Sequence, residues 1–228
     1  HALSWFFSVM QPRVIVSSDI GGNDPDDFQA LVHYLVYADR FQTEGLISSP
    51  PYAGRASDIL ATLDAYETDY SNLNSHADFP TPQSLRDVTK QGAINVSPSA
   101  GYSTATEGSN WIISCANSSD PRPLWILVWG SITDVAQAVH DDPGIKSKIR
   151  VYSIGSWNTS QDVYARNYLY NNHSDMWWIE NDSTFRGMYI GGDQSGDLGN
   201  TTFVEQNVRY HGALGDFFYS KKTDIKMG

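Results

Sequence analysis

The 228 residues are enough for one large domain, which at this length buries roughly 70% of the surface its unfolded chain exposes. With 40% hydrophobic, 13% aromatic and 18% charged residues, the composition excludes wholesale disorder and a coiled coil. A formal charge of −11 argues against nucleic acid as a partner, no apolar run reaches the ~18 residues that cross a bilayer, and a single cysteine, Cys115, excludes an internal disulfide or a cysteine-based zinc cluster.

Residues 1–12 read as an N-terminal extension. They lack an initiator Met and a basic start, so they read not as an intact signal peptide but as a stretch that could follow one. Arg13 to Ser18 (RVIVSS) is a short β-branched run, as expected of a strand buried on both faces of a parallel sheet. From Asp26 to Tyr37, Phe28, Leu31, Val32, Leu35 and Val36 fall at helical spacing. A strand follows at Glu44 to Ser48, then helices at 56–66 and 82–90. Leu124 to Trp129 (LWILVW) is the clearest buried strand, followed by a helix from Thr133 to His140 and a strand from Arg150 to Ile154. The remaining expectations are a helix at Tyr164 to Asn171, a strand at Met176 to Ile179 and a helix at 203–211. Strand and helix alternate with room for βαβ crossovers, so the fold class is α/β with a mostly parallel sheet and flanking helices. Ligands of such sheets bind beyond the carboxyl ends of the strands, which directs attention to the loops after residues 18, 48, 129 and 155.

The first of those loops carries four carboxylates in nine residues, Asp19, Asp24, Asp26 and Asp27, around Gly21 and Gly22. Four acids without a Lys or Arg repel phosphate and suit a hard divalent cation, Ca²⁺ or Mg²⁺. Helix capping is the plainer reading for Asp24, Asp26 and Asp27 in a first turn, but it leaves Asp19 at the strand end unexplained. Six scattered histidines offer no i,i+4 zinc pair, and His211 before Gly212 reads as a surface or capping residue. Trp129, Trp157, Trp177 and Trp178 are candidates for stacking on sugar rings. Trp157, expected in a loop beyond a strand, is the best placed of them.

Six N-x-[ST] acceptors occur, at Asn95, Asn117, Asn158, Asn172, Asn181 and Asn200. With 13 Asn and 39 Ser or Thr, chance gives about two. The excess points to a secreted, extracellular glycoprotein.

A strand ending in Asp19, a Gly/Pro turn and the Asp26–Asp27 pair opening a helix resemble the inosine-uridine-preferring nucleoside hydrolases. The resemblance is closer to the nucleoside-hydrolase-like domain of secreted cellulose-binding proteins. It is carried in order by VSSDIGGNDPDDFQALVHYLVYADRFQTEGLISSP, PTPQSLRDVTKQGA, EGSNWIISCA, DPRPLWILVWG and HGALGDFF. It implies a Rossmann-like, nucleoside-hydrolase-like fold over 13–228, Ca²⁺ in the first loop, and a strand-end Asp that activates water for attack on an anomeric carbon. Asp19 then matches the catalytic acid and metal ligand, and Asp26 and Asp27 the ligand pair. Asp24 is an extra acid that compensates for Ser17, where the hydrolases have a further Asp. Trp129 stands where the family supplies a backbone carbonyl to the metal.

Asn158 and Asn167, nine residues apart, match sugar-binding asparagines, and Tyr52 stands nearest to a third one. Asn158 is also a sequon, and an amide that carries a glycan cannot bind a buried sugar. The resemblance further implies a final metal-ligating Asp after Gly228, so the domain is expected to lack its C-terminal end. Two functions follow. One is a calcium-dependent hydrolase of N- or O-glycosidic bonds acting on a nucleoside or plant-derived glycan. The other is a non-catalytic carbohydrate-binding, cellulose-binding module in which the metal is structural. Both take a carbohydrate or nucleoside as ligand, and neither involves nucleic acid or membrane.

Overall fold

The computed structural model describes residues 10–22, 25–183 and 201–221. In chain order the elements are β1 (Arg13–Ser18), α1 (Asp26–Leu35), β2 (Gln42–Ser48), α2 (Ala56–Leu73), α3 (Pro82–Asp87), β3 (Thr89–Gln91), α4 (Glu107–Ala116) and β4 (Leu124–Val128). They continue with α5 (Thr133–Asp141), β5 (Ile149–Ile154), α6 (Trp157–Gln161), α7 (Val163–Asn172), β6 (Trp178–Asn181), α8 (Thr201–Asn207) and α9 (Gly212–Ser220). The strands form one six-stranded sheet in the order β3-β2-β1-β4-β5-β6, every neighbouring pair parallel.

Strand alternation splits the core into two layers. Ile15, Ile47, Ile126 and Val151 point to one face, under Ile112 of α4, Val135 and Val139 of α5 and Leu169 of α7. Val14, Val16 and Leu46 point to the other, under Leu31 and Leu35 of α1, Leu63 and Tyr66 of α2 and Leu214 of α9. All six residues of β1 are buried, which explains its unbroken β-branched run. Each such fully buried aliphatic side chain contributes about 1.5–3 kcal/mol of transfer free energy.

Capping fixes where several helices begin. Arg55 N–H donates to Asp58 Oδ2 at 2.8 Å ahead of α2. Thr81 Oγ1 accepts from Ser84 N–H at 3.2 Å ahead of α3, whose first residue is Pro82. Thr106 and Ser109 make a reciprocal capping box at α4.

The structure departs from the sequence reading at several elements. The helix expected over 82–90 ends at Asp87, and Thr89–Gln91 becomes the edge strand β3. The helix expected over 56–66 runs on to Leu73, because Tyr70 and Leu73 continue its apolar stripe. The last strand lies two residues later than expected, at Trp178–Asn181. Helices α4, α6 and α9 were not foreseen.

Candidate functional site

In the order β3-β2-β1-β4-β5-β6 the chain direction of the crossovers reverses between β1 and β4, the point at whose carboxyl end ligands of such sheets bind. The described part of the loop after β1 is tied at several points. Ser18 Oγ accepts from Ile20 N–H at 3.2 Å and donates to Asp27 Oδ1 at 2.5 Å. Gly22 N–H closes a tight turn onto the Asp19 carbonyl at 3.0 Å, helped by Gly21 at φ +83°. Trp129 N–H donates to the Ser17 carbonyl at 2.7 Å, which carries the β4 register one step past the strand. Gly130 then closes on Asp19: a Cβ there would lie 2.8 Å from the Cβ of Asp19, so any side chain would push the acid away.

Two further loops complete the neighbourhood. After β2, the Pro50–Pro51 peptide is cis and Tyr52 adopts φ +77°. The Tyr52 ring lies against Gly22, where a Cβ would come within 3.2 Å of it, and its hydroxyl donates to Gln161 Oε1 at 3.4 Å. After β5, α6 turns Asn158 inward: its Nδ2 donates to the Trp129 carbonyl at 2.8 Å and to the Ile154 carbonyl at 3.3 Å. Trp157, one residue earlier, is 64% exposed. Asp19, Tyr52, Trp129, Trp157 and Asn158, predicted from four separate stretches, thus fall on the four loops that follow β1, β2, β4 and β5 at one edge of the sheet.

The other predicted residues stand differently. Asp26 is exposed at the start of α1, and Asp24 lies outside the described residues. Asn167 is exposed on α7, where its Oδ1 accepts from Arg166 Nη1 at 3.3 Å. The Trp129 indole packs edge-on against Tyr34, ring centroids 6.3 Å apart, in the core layer beneath α1. Of the tryptophan pair, Trp178 is packed on the core with its Nε1 donating to Ser153 Oγ at 2.9 Å, and Trp177 is 39% exposed. His211 precedes α9 and is exposed.

A divalent cation of the kind the resemblance implies needs several hard oxygens converging on one point. Among the described residues, no three His, Cys, Asp or Glu side chains form such a group. Asp27 is engaged by Ser18, and the Trp129 carbonyl, the expected backbone ligand, accepts from Asn158. The described residues therefore do not make a cation shell by themselves, and no step is assigned to a cation. The two roles of Asn158 are also separated. Its Nδ2, the atom a glycan would occupy, is spent on two carbonyls. Asn95 is exposed, Asn117, Asn172 and Asn181 donate through Nδ2 to Asp142, Tyr168 and Tyr152, and Asn200 lies outside the described residues.

Sequence reasoning missed two buried acids beside this edge. Asp134, in the first turn of α5, accepts from Ala93 N–H at 2.9 Å and from Thr106 Oγ1 at 2.6 Å. Burial pushes its carboxyl up to about 6, against the hydrogen bonds from Thr106 and Ala93 that favour the charged form. Asp162 caps α7 at Ala165 N–H and also accepts from Ser97 N–H at 3.0 Å and Thr133 Oγ1 at 2.5 Å. Together they strap the 92–106 loop to α5 and α7. The available signal was positional: each acid sits in the first turn or N-cap of a helix, the same pattern that drew attention to Asp26 and Asp27.

Residues 13–228 match the family model described as cellulose-binding Sde182, nucleoside hydrolase-like domain. No curated protein matches the chain. Among solved structures, a nucleoside hydrolase-related protein from Saccharophagus degradans, associated with carbohydrate metabolism, is 30% identical with a TM-score of 0.75; the match covers 96% of this chain and 53% of that one. The chain thus spans about half the length of that relative. An inosine-uridine preferring nucleoside hydrolase from Bacillus anthracis is 14% identical, TM-score 0.61, over 96% of this chain and 78% of its own. A plant nucleoside hydrolase, PpNRh1, is 14% identical, TM-score 0.58, over 93% and 70%. These last two likenesses are of fold.

Proposed function

Because the chain belongs to the family of cellulose-binding, nucleoside hydrolase-like domains, we propose that its carboxyl edge recognises a neutral carbohydrate. The supporting observation is the convergence of an exposed Trp157, a partly exposed Tyr52 and the half-buried Asp19 on linked loops. Aromatic faces stack on the apolar faces of sugar rings, and a carboxylate accepts hydrogen bonds from their hydroxyls. Tyr52 supplies a ring where the hydrolases carry an asparagine, which favours a glycan over a ribose.

Hydrolysis of an N- or O-glycosidic bond is the second reading, favoured by Asp19 alone. A strand-end carboxylate pinned by Gly130 is placed to take a proton from water as an oxocarbenium-like centre forms. Calcium dependence would require oxygen donors beyond the described ones. On either reading the protein is secreted and glycosylated, with the sequon excess as support.

The test is retention on amorphous cellulose and the affinity for soluble gluco-oligosaccharides, alongside a panel of nucleosides and aryl glycosides. Trp157→Ala should weaken glucan binding by about 10–100-fold, the equivalent of ~1.5–3 kcal/mol of lost apolar contact. Binding unaffected by both Trp157→Ala and Tyr52→Ala would sink the recognition reading. Turnover that falls at least about 10²-fold in Asp19→Asn would establish the second.

A further inference from the structure

α6 is five residues long, too short to hold itself by its own hydrogen bonds. Its position must come from outside ties, and it carries both Trp157 and Asn158. The turn that launches it is unusual. Ser156 has φ 56° and ψ −109°, a conformation L side chains resist and one that persists only when the surroundings impose it.

The surroundings are the exit of β6. Ser156 N–H donates to Asp182 Oδ1 at 2.7 Å, and Gly155 N–H donates to the Asn181 carbonyl at 2.8 Å. Gly155 lets the two segments meet: a Cβ there would lie 2.3 Å from Asp182 Oδ1 and 2.9 Å from Glu180 Cγ. One turn further on, Thr159 Oγ1 donates to Glu180 Oε1 at 2.8 Å. Glu180 is itself fixed by Arg166, Nη2 to Oε2 at 2.6 Å, from α7.

We propose that Asp182 and Glu180 are positioning residues, which hold the Ser156 turn and α6 so that Trp157 faces solvent while Asn158 stays on the Trp129 and Ile154 carbonyls. The proposal rests on the recognition reading for its purpose but not for its geometry. Neither acid touches the ligand; each acts through α6. Asp182 is exposed, so its removal leaves the core intact.

The experiment compares the wild-type chain with Asp182→Ala and Asp182→Asn, since asparagine keeps the Oδ1 acceptor. Two quantities are read: the amide proton resonance of Ser156 in the free protein, and the affinity for cellohexaose. In Asp182→Ala the Ser156 resonance moves upfield as its hydrogen bond is lost. Cellohexaose binding weakens about tenfold because α6 no longer presents Trp157 pre-organised, while the melting temperature falls by at most a few degrees, about the cost of one surface hydrogen bond. Asp182→Asn restores both, which a merely structural role would not predict. An unmoved Ser156 resonance in Asp182→Ala overturns the positioning role whatever the ligand does. A moved resonance with undiminished binding overturns its link to recognition. A wild-type chain that binds no glucan defeats the recognition reading alone, and the Ser156 resonance still decides the geometry.

Discussion

Arg13 opens a strand of apolar residues yet is only 2% exposed. Its guanidinium takes Glu44 in a fork, at 2.6 and 2.8 Å, and spends its remaining protons on the carbonyls of Cys115 and Arg122 and the hydroxyl of Ser118. Removing one partner of a buried pair costs far more than the pair contributes, because the other charge is stranded. Glu44→Gln leaves Arg13 only the more distant Asp120 carboxylate, 3.8 Å away, and should destabilise the fold by about 2–3 kcal/mol in urea denaturation; a loss under ~1 kcal/mol would contradict the pairing. Nothing in RVIVSS announces this, since the partner is distant in sequence and only the fold brings them together. Asp19 was legible for the opposite reason: its neighbours Gly21, Gly22, Asp26 and Asp27 are local. What the local pattern could not show is how those acids are used. Asp27 accepts from Ser18, and the Trp129 carbonyl accepts from Asn158. With these oxygens so engaged, Ca²⁺ added to chelator-treated protein should raise the melting temperature only where a donor outside the described residues joins them. A rise that disappears in Asp27→Asn would return the cation to the site.

At the scale of elements, buried strands were legible and exposed or short ones were not. β1 announces itself because a parallel strand covered on both faces carries an unbroken apolar run, and β4 and β5 because their alternate residues are fully buried. β3 has three half-exposed polar residues and no such requirement, so its sequence reads as the tail of α3. α6 has no buried residue at all, and its helical form depends on ties to β6 that no window of sequence contains. The strap made by Asp134 between α5, the N-cap of α4 and the loop after β3 has a consequence for pH. Its carboxyl, raised to about 6 by burial, sits above the value near 4 of an unfolded chain. Between pH ~6 and ~4 the folded state therefore binds a proton that the unfolded state does not, and stability from this site rises as pH falls through that window. Other acids oppose it. Burial acts to raise the Glu180 carboxyl, but hydrogen bonds from Arg166 and Thr159 pull it below its ordinary value, so its contribution is lost in acid. The comparison with Asp134→Asn isolates the effect. From pH 6.5 to 4, wild type should gain about 2–3 kcal/mol relative to the variant, measured by denaturant unfolding at each pH. Parallel curves would mean that Asp134 does not titrate in the folded state within this range.

Across the whole molecule, a charge of −11 sets which ligands can approach and how salt acts on them. The recognition edge adds to that sign through Asp19, Asp26 and Asp27, while its exposed rings, Trp157 and Tyr52, carry no charge. A polyanion would meet repulsion at long range and the desolvation cost of its charges at short range. A neutral glucan meets neither, and its contacts are stacking and short hydrogen bonds. The screening length falls from about 10 Å at 0.1 M salt to about 3 Å at 1 M, so only long-range charge interactions should respond over that interval. Affinity for cellohexaose should then stay within about twofold between 0.05 and 1 M NaCl, since stacking does not depend on screening. A sulfated oligosaccharide of equal length should bind more weakly at low salt and recover as salt is added. If glucan affinity instead falls steeply with salt, as counterion release would make it do, the ligand is being held by charge, and recognition through Trp157 and Tyr52 is the wrong account of this edge.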